Sequence, residues 1–331
     1  MLPDDLMLDL AFPLMDSDFA GPSSLVEQPA TKADWFLAPE TWRVSYSTGT
    51  SATMPVGRAT MKNYVTVVQS WFERWVTTGS NPFIHARLYG ANFPACVQVA
   101  YATLASYNHR TPANTDAVLQ IVEDRSNTLI QENRIADGED QDVDLFAQLT
   151  RLHALLVYQI IGLFDGDIRS RYVAEAHMAV QRTWAGELIH SAAKIFPNTS
   201  TNIASNPVAC LPKPVTSSQQ QWYLWILSES IRRTYLIAIS ICSVFCALQQ
   251  RWAACPGTIM YTNRAGLWDA TSATEWDKHC TGKHGALLHR FECVRSLDYI
   301  EPADIDEFGS AMLDMAFNGE LLETWRDRGR C

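Results

Sequence analysis

The stretch that decides the fold class is residues 220–252, which read QQWYLWILSESIRRTYLIAISICSVFCALQQRW. Its second half, from Tyr235 to Leu248, is apolar on nearly every side and is interrupted by Ser240 and Ser243. A helix that is apolar all round belongs inside a protein, and this run is too short to span a bilayer. Because Pro256 follows, we predict a helix from roughly Gln220 to Trp252 at the centre of the core.

Helical spacing of apolar residues continues on both sides of this stretch. Tyr64, Val68, Trp71 and Trp75 fall at i, i+4, i+7 and i+11, and Gly79 follows as a stop signal. The same reasoning predicts helices at about 94–107, 115–131, 145–161, 170–193 and 305–326, a broken helix over 274–296, and loops at 20–57 and 197–218. Since no convincing strand pattern is present, the predicted class is all-α, with one large multi-helix domain.

The composition describes a globular, acidic chain. Of 331 residues, 47% are hydrophobic and 19% are charged, which suits one large domain or two ordinary ones. The net charge is -10, and no dense block of Lys and Arg occurs anywhere. Because neutralising phosphates supplies most of the affinity of nucleic-acid binders, we expect no specific DNA binding by this chain alone. We also expect no membrane partner.

The cysteines are scattered and form no C-x-x-C pair. The eight are Cys96, Cys210, Cys242, Cys246, Cys255, Cys280, Cys293 and Cys331. In a chain of this length, this pattern fits reduced thiols of the cytosol or nucleus better than a secreted disulfide framework. The N-terminus has no positively charged region of the kind that begins a signal peptide.

The first thirty residues contain six acids and no base. The apolar residues interleaved among these acids are Leu6, Leu8, Leu10, Phe12, Leu14 and Phe19. Acidic-hydrophobic alternation is typical of disordered activation segments that fold on a partner, and a frayed tail is the alternative. We therefore divide the chain into a disordered acidic segment and linker, 1–34, and a helical domain, 35–331.

One set of residues has side chains that suit zinc: Cys280, His284, His289 and Cys293. On a continuous helix the two i,i+4 pairs would face about 140° apart, so a tetrahedral site requires a break near Gly285. Surface histidines and buried thiols are the favoured alternative. No catalytic motif or phosphate-binding loop is present, so we expect no metal, no cofactor and no enzymatic activity.

Three charged residues lie in the otherwise apolar central helix. Glu229 and Arg233 are four positions apart in the favourable order of acid before base, and Arg232 lies beside them. Charges in such a setting must be paired or exposed. We favour a structural ion-pair network that ties helices together over an anion or ligand clamp.

Several phrases in order resemble the middle homology region of fungal zinc-cluster transcription regulators, especially those associated with secondary-metabolite gene clusters. They are Trp35-Phe36-Leu37-Ala38-Pro39-Glu40-Thr41-Trp42, Trp71-Phe72-Glu73-Arg74-Trp75, Asn81-Pro82-Phe83-Ile84-His85 with Leu88-Tyr89, Trp225 to Thr234, Ala265 to Ala270 with Ser272-Ala273 and Trp276, and Asp304 to Gly309. The resemblance covers about residues 35–331. It implies an all-helical regulatory domain, a nuclear location and control of transcription, and it offers no catalytic residues to transfer.

The sequence departs from this family at its start. Such regulators begin with a six-cysteine zinc cluster beside a basic stretch, whereas here the first cysteine is Cys96 and residues 1–31 contain no Lys or Arg. Three explanations stand open: a natural regulator without the cluster, a start codon placed downstream of the true one, or a domain taken from a longer protein.

The predicted function is a transcription regulator, an activator or co-regulator of a fungal secondary-metabolite gene set, located in the nucleus or alternatively the cytoplasm. Its expected partners are the transcription machinery or a DNA-binding regulator, with a small effector and a homodimer or heterodimer as further options. The alternative is a helical enzyme or small-molecule binder of fungal secondary metabolism. A pocket converging on Arg232, Arg233 or the Cys280–His284 region would favour that alternative. A degenerate remnant is a third option.

Overall fold

Helices dominate the computed structural model, which confirms the all-α class. The residues that the structure describes are 35–46, 57–136, 144–199, 216–251, 253, 255–281, 288–289, 297, 300–317 and 319–328. The α-helices in these ranges are α1 (Arg58–Thr78), α2 (Ala95–Asn108), α3 (Thr115–Ala136), α4 (Leu145–Phe164), α5 (Ile168–Thr199), α6 (Ser217–Gln250), α7 (Ala273–Thr281), α8 (Glu307–Ala316) and α9 (Gly319–Arg328). Two 3-10 helices, Pro39–Trp42 and Pro302–Asp304, and two short strands, β1 (Tyr261–Thr262) and β2 (Leu288–His289), complete the described elements.

Helix α6 is the centre of the core, as its apolar sequence predicts. Thr216 caps its first turn by accepting a hydrogen bond of 3.2 Å from the Gln219 amide. The helix packs against α1, α4, α5, α7 and β1. It is long and apolar enough to cross a membrane, but 72% of its most apolar stretch is buried within the protein. That burial is the behaviour of a core helix.

The predicted helices that precede α6 are confirmed, with ends that differ by a few residues. Helix α1 buries Tyr64, Val68, Trp71 and Trp75 and ends at Gly79, whose φ of 81° is the left-handed conformation of a helix stop. Helix α4 is buried along nearly its whole length and packs against α2, α3, α5 and α6. These helices form one continuous hydrophobic core.

The prediction of a linker over 20–57 is wrong for residues 35–46. Phe36, Leu37 and Trp42 are buried there, and the Trp42 ring stacks on Phe196 of α5 at 4.9 Å. Proline and serine favour loops, but burial of large aromatic rings contributes more to the free energy of folding than these local preferences do. The described part of the predicted linker is therefore a strap that belongs to the core.

The prediction of a broken helix over 274–296 is right only for its first part. Helix α7 ends at Thr281, and β2 then pairs antiparallel with β1, with His289 opposite Tyr261. The remaining residues of that stretch lie outside the described ones. The closing amphipathic segment, 305–326, is two helices, α8 and α9. A second apolar cluster, formed by Leu297, Leu313, Leu322 and Trp325, packs them together.

Candidate functional site

A cluster of fully buried charges lies halfway along α6. Glu229, Arg232 and Arg233 are all at most 1% exposed. Arg233 donates from Nε to Glu229 Oε1 at 3.0 Å and from Nη2 to Asp306 Oδ2 at 2.5 Å. Because isolated buried charges are very costly, this pairing is what permits two arginines and two acids to share the core. All three charged residues of α6 are thus in ion pairs in this structure.

Backbone carbonyls and aromatic faces complete the surroundings of Arg233. Its Nη1 donates to the Pro82 carbonyl at 2.8 Å, and its Nη2 donates to the Thr262 carbonyl at 2.9 Å. The guanidinium carbon lies 4.2 Å from the centroid of the Trp268 ring and 4.8 Å from that of Phe308. Burial acts to lower the pKa of Arg233, but Asp306 and Glu229 together raise it above its usual range. Arg233 is therefore a permanent cation.

Arg232 points into a different part of the core. It donates from Nη2 to the Phe36 carbonyl and, at 3.0 Å, to Thr41 Oγ1. Its guanidinium lies 4.1 Å from the Trp42 ring centroid, while Glu229 Oε2 lies 3.5 Å from its Nη1. Burial lowers the pKa of Arg232 to about 10, and Glu229 limits that fall. Arg232 thus fastens the strap of residues 35–46 to α6.

A groove of about 640 Å³ opens above Arg233. One wall is the end of α1 with the turn that follows it, and the other wall is formed by residues 268–271 and 306–308. The lining residues are Arg74, Ser80, Asn81, Pro82, His85, Ala86, Arg87, Gly90, Arg233, Trp268, Asp269, Ala270, Thr271, Asp306, Glu307 and Phe308. This volume lies within the range of small-molecule sites, and Arg233 is among the residues that line the groove.

Asn81 holds the turn after α1 in place. Its side-chain Oδ1 accepts hydrogen bonds from the Phe83 and Ile84 amides at 2.9 and 2.7 Å. Its carbonyl accepts one from Trp268 Nε1 at 2.9 Å. Since Asn81 is 3% exposed, these bonds satisfy a buried polar group and also join the two walls of the groove.

His85 lies among three tryptophans at the floor of the groove. The centroid of its ring is 5.0 Å from that of Trp268, 6.2 Å from Trp222 and 6.5 Å from Trp225. Its Nδ1 accepts a hydrogen bond from the Arg87 amide at 3.1 Å. Burial, helped by the positive charge of Arg233, lowers the pKa of His85 to about 3. The ring is therefore neutral near pH 7.

Two arginines stand at the rim of the groove. Arg74 pairs with Glu307 at 2.8 Å, and Trp71 Nε1 donates to the other oxygen of the same carboxylate at 2.5 Å. Arg87 donates from Nη2 to the Thr271 carbonyl at 3.2 Å across the groove. Both walls are thus tied at the rim as well as at the floor.

A comparison with known proteins relates this chain to a regulator of transcription. It is 29% identical over 238 residues to a protein named Transcription factor gsfR2 from Penicillium aethiopicum. This chain is similar to a fungal transcription factor. The match covers 72% of the chain and 54% of that protein, so the chain spans about half the length of the curated relative. No protein-family model matches the chain, and no solved structure matches it.

The predicted activation segment cannot be placed, because Leu6, Leu8, Leu10, Phe12, Leu14 and Phe19 lie outside the described residues. The proposed zinc set is placed only in part. Cys280 is half-buried in α7, where burial raises its thiol pKa to about 12, and His289 lies in β2. His284 and Cys293 lie outside the described residues. Among the described residues, no group of three or more His, Cys, Asp or Glu is arranged to hold a metal ion.

Four residues of the site were missed by the sequence reasoning: Asn81, His85, Trp268 and Asp306. Each lies in a sequence segment that resembles the family, but a resemblance of this kind does not show which side chains contact one another. The order of these segments along the chain was the available signal. It does not reveal that Asp306 is the partner of Arg233, 73 positions away.

Proposed function

We propose that this chain is the regulatory part of a fungal transcription regulator that controls a secondary-metabolite gene set as an activator or co-regulator. The observation that carries the proposal is the similarity to a Penicillium transcription factor over 238 residues. The ordered phrases over 35–331 that resemble the regulatory region of such proteins support it from the residues themselves. Its proposed location is the nucleus.

We propose further that the chain acts through protein or effector contacts rather than by reading DNA. The net charge of -10 and the lack of a dense Lys and Arg block support this part. The partners proposed are the transcription machinery or a DNA-binding regulator, with homodimer and heterodimer assembly as further options. In a gel-shift assay, the purified chain should leave promoter DNA of its own gene set unshifted in the presence of competitor DNA.

The activation role is tested by fusing the chain to a heterologous DNA-binding domain and measuring a reporter in yeast. We expect the fusion to raise reporter output. A triple variant, Leu8→Ala with Leu10→Ala and Phe12→Ala, should lose most of that gain, because apolar side chains in acidic segments bind partner grooves. The matched control is Ser17→Ala with Ser23→Ala and Ser24→Ala, which alters the same segment and should retain activation. Equal output from both triple variants would argue against the activation segment.

The second candidate function is a small-molecule binder or enzyme of fungal secondary metabolism. The groove of about 640 Å³ that converges on Arg233 favours the binder within this alternative. Binding and regulation are compatible, since an effector-responsive regulator performs both. Catalysis is a separate claim, and conversion of a pathway intermediate by the purified chain would establish it.

A further inference from the structure

We infer that the groove above Arg233 is a binding site for a small planar organic anion, whose carboxylate is held at Arg87 and whose carbon framework rests in the groove. This inference extends the proposed function by giving the regulator a ligand class and a place to bind it. It concerns a property of the folded chain, so it is measured without reference to transcription.

The shape and lining of the groove favour an organic ligand over an inorganic ion. Its volume of about 640 Å³ is far larger than a single hydrated anion needs. Apolar groups contribute much of the wall, from Pro82, Ala86, Trp268, Ala270 and Phe308. Rings and small aliphatic side chains in this arrangement suit a flat carbon framework.

Two ion pairs account for four of the six charged residues that line the groove, and Arg87 and Asp269 lie outside these pairs. Arg233 is paired with Asp306, and Arg74 is paired with Glu307. The ion pairs formed between described residues do not include Arg87. Its guanidinium is exposed and donates from Nη2 to the Thr271 carbonyl at 3.2 Å, which places it over the groove. Because a guanidinium matches a carboxylate in geometry as well as charge, Arg87 is the expected anchor.

Arg233, which is 1% exposed and lines the groove, has one further N–H donor. Arginine has five N–H groups, and four of those on Arg233 reach Glu229, Pro82, Thr262 and Asp306. The fifth, on Nη1, has no acceptor among the described residues. An unpaired N–H on a buried arginine is costly, so a ligand oxygen that accepts from it is stabilised.

Asp269 is the one acid lining the groove that lies outside these pairs. Because an acid attracts cations, the probes must compare an anionic, an uncharged and a cationic ligand. Asp269 is exposed on the 268–271 wall and is therefore solvated. If it dominated recognition, the groove would prefer a cation. Three naphthalene probes of similar size separate the possibilities: 1-naphthoate, the uncharged 1-naphthylmethanol and the cationic 1-naphthylmethylamine.

The test is isothermal titration of the purified full chain with each probe at pH 7.5. We expect saturable binding of naphthoate that is roughly ten-fold or more tighter than that of either other probe. The variant Arg87→Met should remove that preference. The control Arg58→Met changes an exposed arginine at the other end of α1, about 24 Å from Arg74 by helix rise, and should leave it intact.

Far-UV melting of each variant shows whether it is folded. No saturable binding of naphthoate at millimolar concentration, an equal affinity for the alcohol, a tighter affinity for the amine, or an unchanged preference in folded Arg87→Met would each overturn the inference. Because no reporter is involved, these outcomes are independent of whether the chain regulates transcription.

Discussion

Arg233 of α6 donates a 2.5 Å hydrogen bond to Asp306, the residue that also caps α8. Asp306 accepts a second hydrogen bond, of 2.7 Å, from the Gly309 amide in the first turn of α8. One buried carboxylate therefore neutralises a core cation and starts a helix 73 positions further along the chain. This contact fixes the wall of the groove formed by residues 306–308 relative to α6.

The first prediction concerns this carboxylate. Asp306→Ala leaves Arg233 with one acid instead of two and removes the α8 cap, so we expect a loss of about 3–5 kcal/mol in the free energy of unfolding. Urea unfolding followed by circular dichroism measures it. The matched control is Asp314→Ala, which breaks the half-exposed pair with Arg326 and should cost at most about 1 kcal/mol. Equal losses in the two variants would show that the buried Arg233–Asp306 pair contributes no more to the free energy of unfolding than a half-exposed pair does.

The second prediction concerns the close packing of α8. A Cβ on Gly309 would lie 2.8 Å from Asn263 Cβ and 2.8 Å from Ile305 Cγ2. Gly309→Ala should therefore destabilise the protein by about 1–3 kcal/mol, although alanine is the better helix former. Gly186 lies inside α5 with nothing near its Cβ position, so Gly186→Ala should instead stabilise by roughly 0.5–1 kcal/mol. A stabilising effect in both variants would contradict the packing described for α8.

How much the sequence could predict depends on the range of the interaction. Helix α6 and the buried face of α1 follow from local periodicity, and both are confirmed. The pairing of Glu229 with Arg233 was also accessible, because it is a local i,i+4 contact. The pairing of the same arginine with Asp306, the N-cap of α8, could not be predicted, because it is a contact between residues 73 positions apart that forms only in the folded chain.

For the strap of residues 35–46, the sequence predicted too little structure. Its one proline and one serine, with the prolines and serines on either side, predicted a linker, while Phe36 and Trp42 are buried against the core. Residue preferences report only the local conformation of the backbone. The contacts of Trp42 with Phe196 and Arg232 join distant parts of the chain and exist only after folding.

The third prediction concerns this strap. Arg232→Met removes the donors to the Phe36 carbonyl and Thr41 Oγ1 while keeping an apolar side chain of similar length in the core. We expect the strap to be released and trypsin to cleave after Arg43 at a clearly higher rate. Limited proteolysis followed by mass spectrometry measures this, with Arg58→Met as the control. An unchanged rate at Arg43 would mean that the aromatic contacts alone hold the strap.

The fourth prediction concerns acid. Burial lowers the pKa of both His85 and His153 to about 3, from an ordinary value of 6.5. Below pH 6.5 the two histidines are protonated in the unfolded chain but stay neutral in the folded chain. Stability should therefore fall as the pH decreases from 6.5 to 5, by at most about 1.4 kcal/mol per pH unit for each histidine. Urea unfolding at several pH values gives the slope.

His153→Gln tests the source of that slope. In the folded protein His153 Nδ1 lies 2.5 Å from the Tyr89 hydroxyl and Nε2 lies 2.7 Å from Thr234 Oγ1, and an amide offers replacement hydrogen bonds. We expect the slope of the variant to be shallower than that of the wild type. His109→Gln alters an exposed histidine at the end of α2 and should keep the wild-type slope. The same slope in all three proteins would contradict the assignment.

Messenger RNA profiling in the source organism after deletion of the gene, with the wild-type gene restored as control, distinguishes a regulator from an enzyme. If the chain regulates transcription, transcripts of a defined metabolic gene set change several-fold on deletion and recover on restoration. An enzyme of the same pathway would leave those transcripts unchanged and cause one intermediate to accumulate. Unchanged transcripts, together with an accumulated intermediate, would show that the chain is not a regulator of that gene set.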